Sequence, residues 1–498
     1  MPEQVSPEGL ATRAAEKHVV VIGGGIGGLI AARECAKVGM RVTVLEAADA
    51  LGGAIRRAEL DGVVVDAGAE SFATRGGHVR ALLAELGLED RIVAPAAGGA
   101  WLSGIPGVGA APLPVGGILG IPANPFQDDV RRIIGWSGVW RAYLDRIRPP
   151  LTIGHSHSLG RLVSSRMGAK VRDRLVAPVT TGVYSASPED VDVDIAAPGL
   201  NAALTTAGSL SGAVQALRDE GAARAAKAPG SAVEGLEGGM AGLVDAVVAD
   251  LAQLGGEVRT GAKALSVARS GTGWAVVAEL APDAAATGAE EEAATEAMTA
   301  DAVIVATSET VARSLLADAV PALAATEAAA APEIEIVTLL LEAPALDAAP
   351  RGTGVLTVPG SHTAKALTHS SAKWEWVRRA AGERHVVRVS FGAQGEPAAT
   401  ARLDEEGAAR LALAEASALL GVPLAEDALV AAHRARFVQS QPASIIGSAE
   451  RREAARAAIR AVPGIAAVGA WLSGTGLAQV IPDAAEESDR LRHALLWD

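Results

Sequence analysis

The stretch HVVVIGGGIGGL at residues 18–29, read with RVTVLE at 41–46, decides the fold. HVVVI is a short β-branched apolar run cut off by glycine, as expected of a strand buried on both faces of a parallel sheet. A glycine loop follows at 23–28. Leu29 to Val38 read as a helix stopped by Gly39, and RVTVL at 41–45 as a second strand. The whole is a βαβ unit about thirty residues long.

The loop reads Gly23-x-Gly25-x-x-Gly28. The first glycine permits the tight turn, the second lets backbone approach a pyrophosphate, and the third lets the helix pack on the strand. The helix start then offers unpaired N–H groups to the anion. In a chain with 56 glycines among 498 residues the bare pattern carries little weight, so context decides. Here the pattern follows a strand, opens a helix, and is followed by a second strand ending at Glu46. That carboxylate suits ribose hydroxyls and disfavours a 2′-phosphate by charge repulsion, which argues against NADP. Leu51-Gly52-Gly53 and then Arg56-Arg57 come next. A second glycine pair can bring backbone to the far side of the pyrophosphate, with an arginine to neutralise it. A surface turn with solvated arginines is the other reading.

Outward from this unit the pattern stays α/β. A hairpin is expected past Arg57, with its turn at Asp61-Gly62. Residues 95–150 read as irregular wall structure and short helices, and 158–218 as mostly helical. A helix is expected over Val233–Leu254, then strands at 257–259, 263–269 and 274–280. Residues 281–300 are of low complexity and read as a flexible hairpin tip. Strands follow at 301–306, 334–341 and 385–391, a helix at 402–420, a strand at 465–469 and a last helix from about 483 to 496.

Composition narrows the class. At 498 residues, 49% hydrophobic, the chain can fill two or three cores. Aromatics are only 3%, and no apolar run is long enough to span a bilayer. The first seventeen residues lack the apolar stretch of a signal peptide and read as a disordered tail. A net charge of −14 argues against nucleic acid, and a single cysteine, Cys35, excludes a disulfide framework. The cytoplasm is the expected compartment. Cys35 reads as a packed side chain. His155 and His157 lack an evident third ligand, so no metal site is expected. Trp136 and Trp140, spaced i, i+4, read as a core helix face.

The segments VVVIGGGIGGLIAA, LEAADALGGAIR and VVVDAGAESF resemble the amine oxidase and phytoene desaturase superfamily of flavoproteins. LVAPVTTGVYSASPEDVDV at 175–193, EGLEGGMAGLVDAV at 234–247, THSSAKWEWV at 368–377 and GAWLSGTGLAQVIPDA at 469–484 are similar to the porphyrinogen oxidase family, most closely its bacterial coproporphyrinogen III oxidase branch. The resemblance covers about residues 18 to 495, and the GVYSASPED segment is its most specific part.

The resemblance implies a six-electron oxidation of a porphyrinogen to a porphyrin in haem biosynthesis, with FAD accepting electrons, O2 reoxidising it and H2O2 released. It implies an α/β fold. A Rossmann-like FAD-binding domain would be assembled from separated segments 18–75, 231–310 and 436–498. An α+β substrate-binding domain with a helical subdomain would occupy 76–230 and 311–435. By position the FAD contacts would be Gly23, Gly24, Gly25, Ile26, Gly27, Gly28, Glu46, Ala47, Gly52, Gly53, Gly68, Ala69, Glu70, Ser71, Thr475, Gly476 and Leu477, with Ala264 near the adenine. Arg75, Lys365 and Lys373 are the candidates for substrate carboxylates, and Gly182, Val183 and Tyr184 for a wall beside the ring. No residue is named as a general base, since the cofactor carries the redox chemistry.

The sequence departs from the family at four places. Gly68-Ala69-Glu70-Ser71 stands where Gly-Pro-Glu/Asp-Ser is usual, and Gly76 where lysine is frequent. Phe437 replaces a tryptophan, and Gly474-Thr475-Gly476-Leu477-Ala478 replaces Gly-Val-Gly-Ile-Pro. These bear on the substrate more than on the cofactor. A protoporphyrinogen IX oxidase, an FAD amine oxidase and a non-catalytic tetrapyrrole or flavin carrier are the alternatives.

Overall fold

The computed structural model describes residues 7–147, 156–222, 233–281, 294–325, 328–438 and 444–497. A five-stranded sheet runs in the order Glu257–Arg259, Arg41–Leu45, His18–Ile22, Ala302–Val305, Ile465–Ala467, every pair parallel. Its strands come from widely separated parts of the chain, as a Rossmann-like domain built from separate segments requires. His18–Ile22 occupies the centre, with Val20 opposite Thr43 on one side and Val303 on the other. Val19, Val20 and Val21 are fully buried, which explains the unbroken apolar run. The helices Ile26–Ala36 and Leu477–Trp497 pack together against this sheet's core.

A second, seven-stranded sheet runs in the order Leu429–Val438, Glu333–Leu341, His385–Phe391, Ala366–His369, Gly354–Thr357, Ala100–Ile105, Gly109–Pro112. Its pairs are antiparallel except Gly354–Thr357 with Ala100–Ile105. One face, with Leu339, Val355, Leu367, Val387 and Val389, packs with the helix Glu405–Leu420. The opposite face carries Leu356, Ala366, Thr368, Arg388 and Ser390 in register. That alternation sets which residues can reach a ligand. A helical layer including Asp128–Tyr143, Leu159–Met167, Ala177–Tyr184 and Leu210–Ala222 has its own core.

Several sequence expectations are corrected. Of the expected disordered tail, residues 1–6 lie outside the described residues and Pro7–Glu16 form a helix, because Ala14 fits the core at 1% exposure and Arg13 donates to the carbonyl of Leu496. Residues Val233–Leu236 are a strand, and the helix starts only at Ala241. Gly238 and Gly239, both at positive φ, break the chain between them. The stretch read as irregular wall contains Ala100–Ile105, a strand of the large sheet, and the 16-residue helix Asp128–Tyr143. Within 281–300, residues Ala294–Ala300 are a strand paired with Gly273–Leu280, while 282–293 lie outside the described residues. The last helix begins at Leu477 and continues through Pro482.

Trp136 and Trp140 are not core residues. They are 56% and 57% exposed. The buried stripe belongs to Val130, Ile133, Ile134 and Val139, and a kink at Gly135 (φ 67°) interrupts the helical register beside Trp136. Trp140 meets Phe126 and Tyr143 edge-on, and Arg131 lies over Trp136. Among the described residues no helix is long and apolar enough to cross a membrane.

At one end of the large sheet His369 Nε2 lies 3.3 Å from His385 Nδ1, and His385 Nε2 lies 3.0 Å from Asp347. Burial, reinforced by the neighbouring imidazole, pushes His369 down to about 4 from 6.5. The unfolded chain therefore binds a proton there before the folded one does. This contribution to stability is present above about pH 6.5 and is lost as pH falls toward 4. Thermal midpoints measured between pH 7 and 4.5 should fall less steeply for His369→Gln than for the parent, and equal slopes would contradict this.

Candidate dinucleotide and substrate site

At the end of the central strand Gly23 takes φ 112° and donates its N–H to Leu45 O. A Cβ here would lie 2.6 Å from Ala306 O, and one on Gly28 2.0 Å from Gly23 O, so both glycines are demanded by the protein itself. Gly25 differs. Its φ is an ordinary −69°, and an added Cβ would meet nothing nearer than Gly53 Cα at 4.0 Å. Neither strain nor packing explains glycine there. Open space beside its Cα would admit a ligand's close approach.

The surroundings fit an anion. Helix Ile26–Ala36 has no side-chain cap and no acidic residue in its first turn, leaving its first N–H groups for a ligand. Gly52 N–H bonds Gly24 O, which lays the second glycine pair beside the first. Glu46 closes the loop: its carboxylate accepts from Gly24 N–H (2.6 Å) and Ala48 N–H (2.8 Å). Each oxygen keeps a lone pair for a ribose hydroxyl. Ala47 is exposed beside it. The backbone of Glu46 pairs with Arg259 and Ala262, and Ala264 stands two residues further along that strand. At the far end Gly27 packs against Val480 and Gly469, so the turn Thr475-Gly476-Leu477 and the glycine loop open the first turns of two touching helices.

The segment Gly68–Ser71 folds back on the second glycine pair. Ala69 N–H bonds Ala54 O, and a Cβ on Gly68 would lie 2.0 Å from that carbonyl. Arg56 donates to Gly53 O and stacks on Phe437, whose ring lies over Gly68. Arg57 turns away to pair with Asp245.

Glu70 is the junction with the large sheet. Its carboxylate accepts from Lys373 (2.6 Å) and Arg388 (2.7 Å), and Arg388 also donates to the carbonyls of Ala67 and Gly68. Burial works to raise the Glu70 carboxyl, but Lys373 and Arg388 overcome it and hold the group down at about 2. Lys373 is therefore not the free carboxylate anchor expected of it, since its charge is spent on Glu70. Arg388 was not singled out from the sequence. Its signal was one arginine inside the apolar strand HVVRVSF.

On the same sheet face Leu356 touches Gly182, where a Cβ would lie 2.5 Å from its side chain. Gly182, Val183 and Tyr184 form the last turn of the helix Ala177–Tyr184. Val183 is exposed. Tyr184 is half-buried, and burial raises its phenol against the pull of Arg75. An apolar cavity of 210 Å³ opens against this wall, lined by Leu113, Leu119, Val130, Val179, Val183 and Tyr184. Ser185 caps the helix at φ 54°, and its hydroxyl accepts from Lys365 Nζ at 2.6 Å. Lys365 is buried rather than at a mouth, and burial pushes its ammonium down to about 8. Arg75 is exposed. The helix Ala177–Tyr184 and the segment Gly68–Ser71 thus reach one face of one sheet.

Two further clusters remain, the first adjoining Glu70 and Arg388 through Asp66. An open depression of 430 Å³ holds Arg57, Asp66, Arg91 and Asp245, but both arginines are already bound, to Asp245 and to Glu237 O. His157 meets Asp192 at 3.5 Å with Asp194 close by, a grouping not evident from sequence spacing, while His155 lies outside the described residues. Cys35 is buried, and burial pushes its thiol up to about 12.

A family described as Flavin containing amine oxidoreductase matches residues 26–490. A coproporphyrinogen III oxidase of Mycobacterium bovis is 31% identical over 468 residues, 92% of this chain and 93% of that protein. One of Propionibacterium freudenreichii is 32% identical over 187 residues, a match spanning 38% of this chain and 35% of that protein. Among solved structures, an Exiguobacterium sp. protein provisionally described as a protoporphyrinogen oxidase superposes with TM-score 0.79 at 22% identity, covering 96% of this chain and 99% of that one. Reduced UDP-galactopyranose mutase superposes with TM-score 0.64 at 14% identity, covering 96% and 94%. These likenesses show the fold.

Gly25→Ala separates ligand approach from folding. The variant should fold and melt like the parent stripped of flavin, yet retain flavin dinucleotide at least about tenfold more weakly. Full flavin content after gel filtration would contradict the assignment of Gly25.

Proposed function

The chain belongs to the flavin containing amine oxidoreductase family, and on that premise we propose that it oxidises coproporphyrinogen III to coproporphyrin III, with O2 as the final acceptor and H2O2 as its product. FAD is the cofactor, in keeping with the family, the glycine loop and Glu46. The observation that carries the substrate reading is the 31% identity maintained across 92% of the chain with a coproporphyrinogen III oxidase.

The site's charge supports the same reading. The substrate carries four propionates on an apolar ring. It asks for apolar walls with cations around them. Val183, Tyr184 and Leu356 supply the wall, and Arg75 and Lys365 the cations. Lys373 and Arg388 both pair with Glu70, and Arg388 also faces the buried Asp66, so this cluster is close to charge-balanced and, among the described residues, the free cations of the site are Arg75 and Lys365. Such a field repels an ammonium substrate, which speaks against an amine oxidase, and it stands within a chain of net charge −14.

FAD, when bound, supplies the two-electron acceptor used for each of three successive oxidations. The chain's own part is placement. Glu70, through Lys373 and Arg388, fixes Gly68–Ser71 against the sheet, and the helix Ala177–Tyr184 sets the opposing wall. No side chain here is assigned as a general base; with three hydrides leaving meso carbons, the three protons to be lost come two from pyrrole nitrogens and one from the fourth meso carbon by tautomerisation.

Aerobic incubation of the flavin-loaded protein with coproporphyrinogen III should give coproporphyrin III fluorescence well above the autoxidation control, with about three H2O2 per porphyrin. Porphyrin formed no faster than in the control would overturn the proposal. Porphyrin without H2O2 would overturn O2 as the acceptor.

A further inference from the structure

Lys365 is an unusual lysine in this protein. Lys17, Lys37 and Lys373 each pair with a carboxylate. Lys365 is 8% exposed, and among the described residues its ammonium has one hydrogen-bond partner, the Ser185 hydroxyl. A buried ammonium facing a neutral hydroxyl has lost its water without gaining a counter-ion, an arrangement that costs stability unless a ligand completes it. The carbonyl end of the helix Ala177–Tyr184 offers only a partial negative charge.

Ser185 adds an independent observation. It sits in the left-handed region, at φ 54°, where a serine is strained and glycine would not be. The strained residue is the one whose hydroxyl meets the lysine, and it directly follows Tyr184 of the wall. Arg75, by contrast, is exposed and lies near enough to Tyr184 to act on its phenol. The wall is thus flanked by one solvated cation and one buried cation.

Resting on the porphyrinogen reading above, we infer that Lys365 and Ser185 form a buried carboxylate subsite that selects porphyrinogens with carboxylates around the whole ring over those with carboxylates on one edge only. A ring with four propionates can offer one to Arg75 at the exposed side and another to Lys365 at the buried side. A ring with two adjacent propionates satisfies the exposed cation only. Its vinyl groups then face Lys365, leaving the ammonium unpaired. A site built around a buried polar group rejects ligands that fail to pair it far more strongly than an apolar pocket rejects a misfit.

The test is the ratio of kcat/KM for coproporphyrinogen III to that for protoporphyrinogen IX in the flavin-loaded enzyme, in the parent, Lys365→Met and Ser185→Gly. Glycine suits φ 54°, so Ser185→Gly removes the hydroxyl while relieving strain and keeps the test available if Lys365→Met does not fold. The ratio should fall at least about tenfold in Lys365→Met and about threefold in Ser185→Gly. Ratios within about twofold of the parent in every variant that folds and holds flavin would overturn the subsite while leaving the oxidase reading intact. A parent enzyme that oxidises neither porphyrinogen would overturn both.

Discussion

Three parts of this protein meet at the carboxylate of Glu70. It belongs to the segment that runs back against the second glycine pair. It is held by Lys373 from a short helix after one strand of the large sheet and by Arg388 from the next strand. Arg388 also grips the carbonyls of Ala67 and Gly68, so the segment is fixed by backbone as well as side chain. Buried charge of this kind contributes little net stability against an apolar alternative. Breaking it is another matter: without Glu70 two cations would be left nearly desolvated, a loss of about 3–5 kcal/mol. What the cluster provides is position. It ties the dinucleotide domain to one face of the sheet, and on that face Leu356 meets the helix Ala177–Tyr184. The distance between Gly68–Ser71 and the helix Ala177–Tyr184 is therefore set by this sheet.

The charges fall into two regimes. Many ion pairs at the surface are exposed, such as Arg378 with Glu375, and contribute little. Beside the helix Ala177–Tyr184, Lys365 is buried with a hydroxyl as its partner, although the chain as a whole is strongly acidic.

How much of this was legible beforehand differs by residue. The strands at 18–22 and 41–45 were readable because burial on both faces leaves an unmixed apolar run, and Gly23 and Gly28 because only glycine fits a closed loop. Gly25 belongs to the same motif, but neither its φ of −69° nor its surroundings within the protein require glycine. Lys373 was readable as basic but not as already paired, since its partner Glu70 is 303 positions away. Arg388 and Ser185 were missed for the same cause: a role fixed by a tertiary neighbour leaves little trace in local spacing. Trp136 and Trp140 show the limit of periodicity, because i, i+4 spacing names a helix face but not which face is buried. The helix Pro7–Glu16 was missed because its support comes from the far end of the chain, at Leu496.

The central claim is that this flavoprotein takes electrons directly from a tetracarboxylate porphyrinogen. The most direct measurement is to mix the flavin-loaded protein with coproporphyrinogen III under strict anaerobiosis and follow the visible flavin band. The account predicts that the band bleaches at once, and that it returns, with porphyrin fluorescence, when air is admitted. A flavin that stays oxidised in the presence of excess coproporphyrinogen III would contradict it.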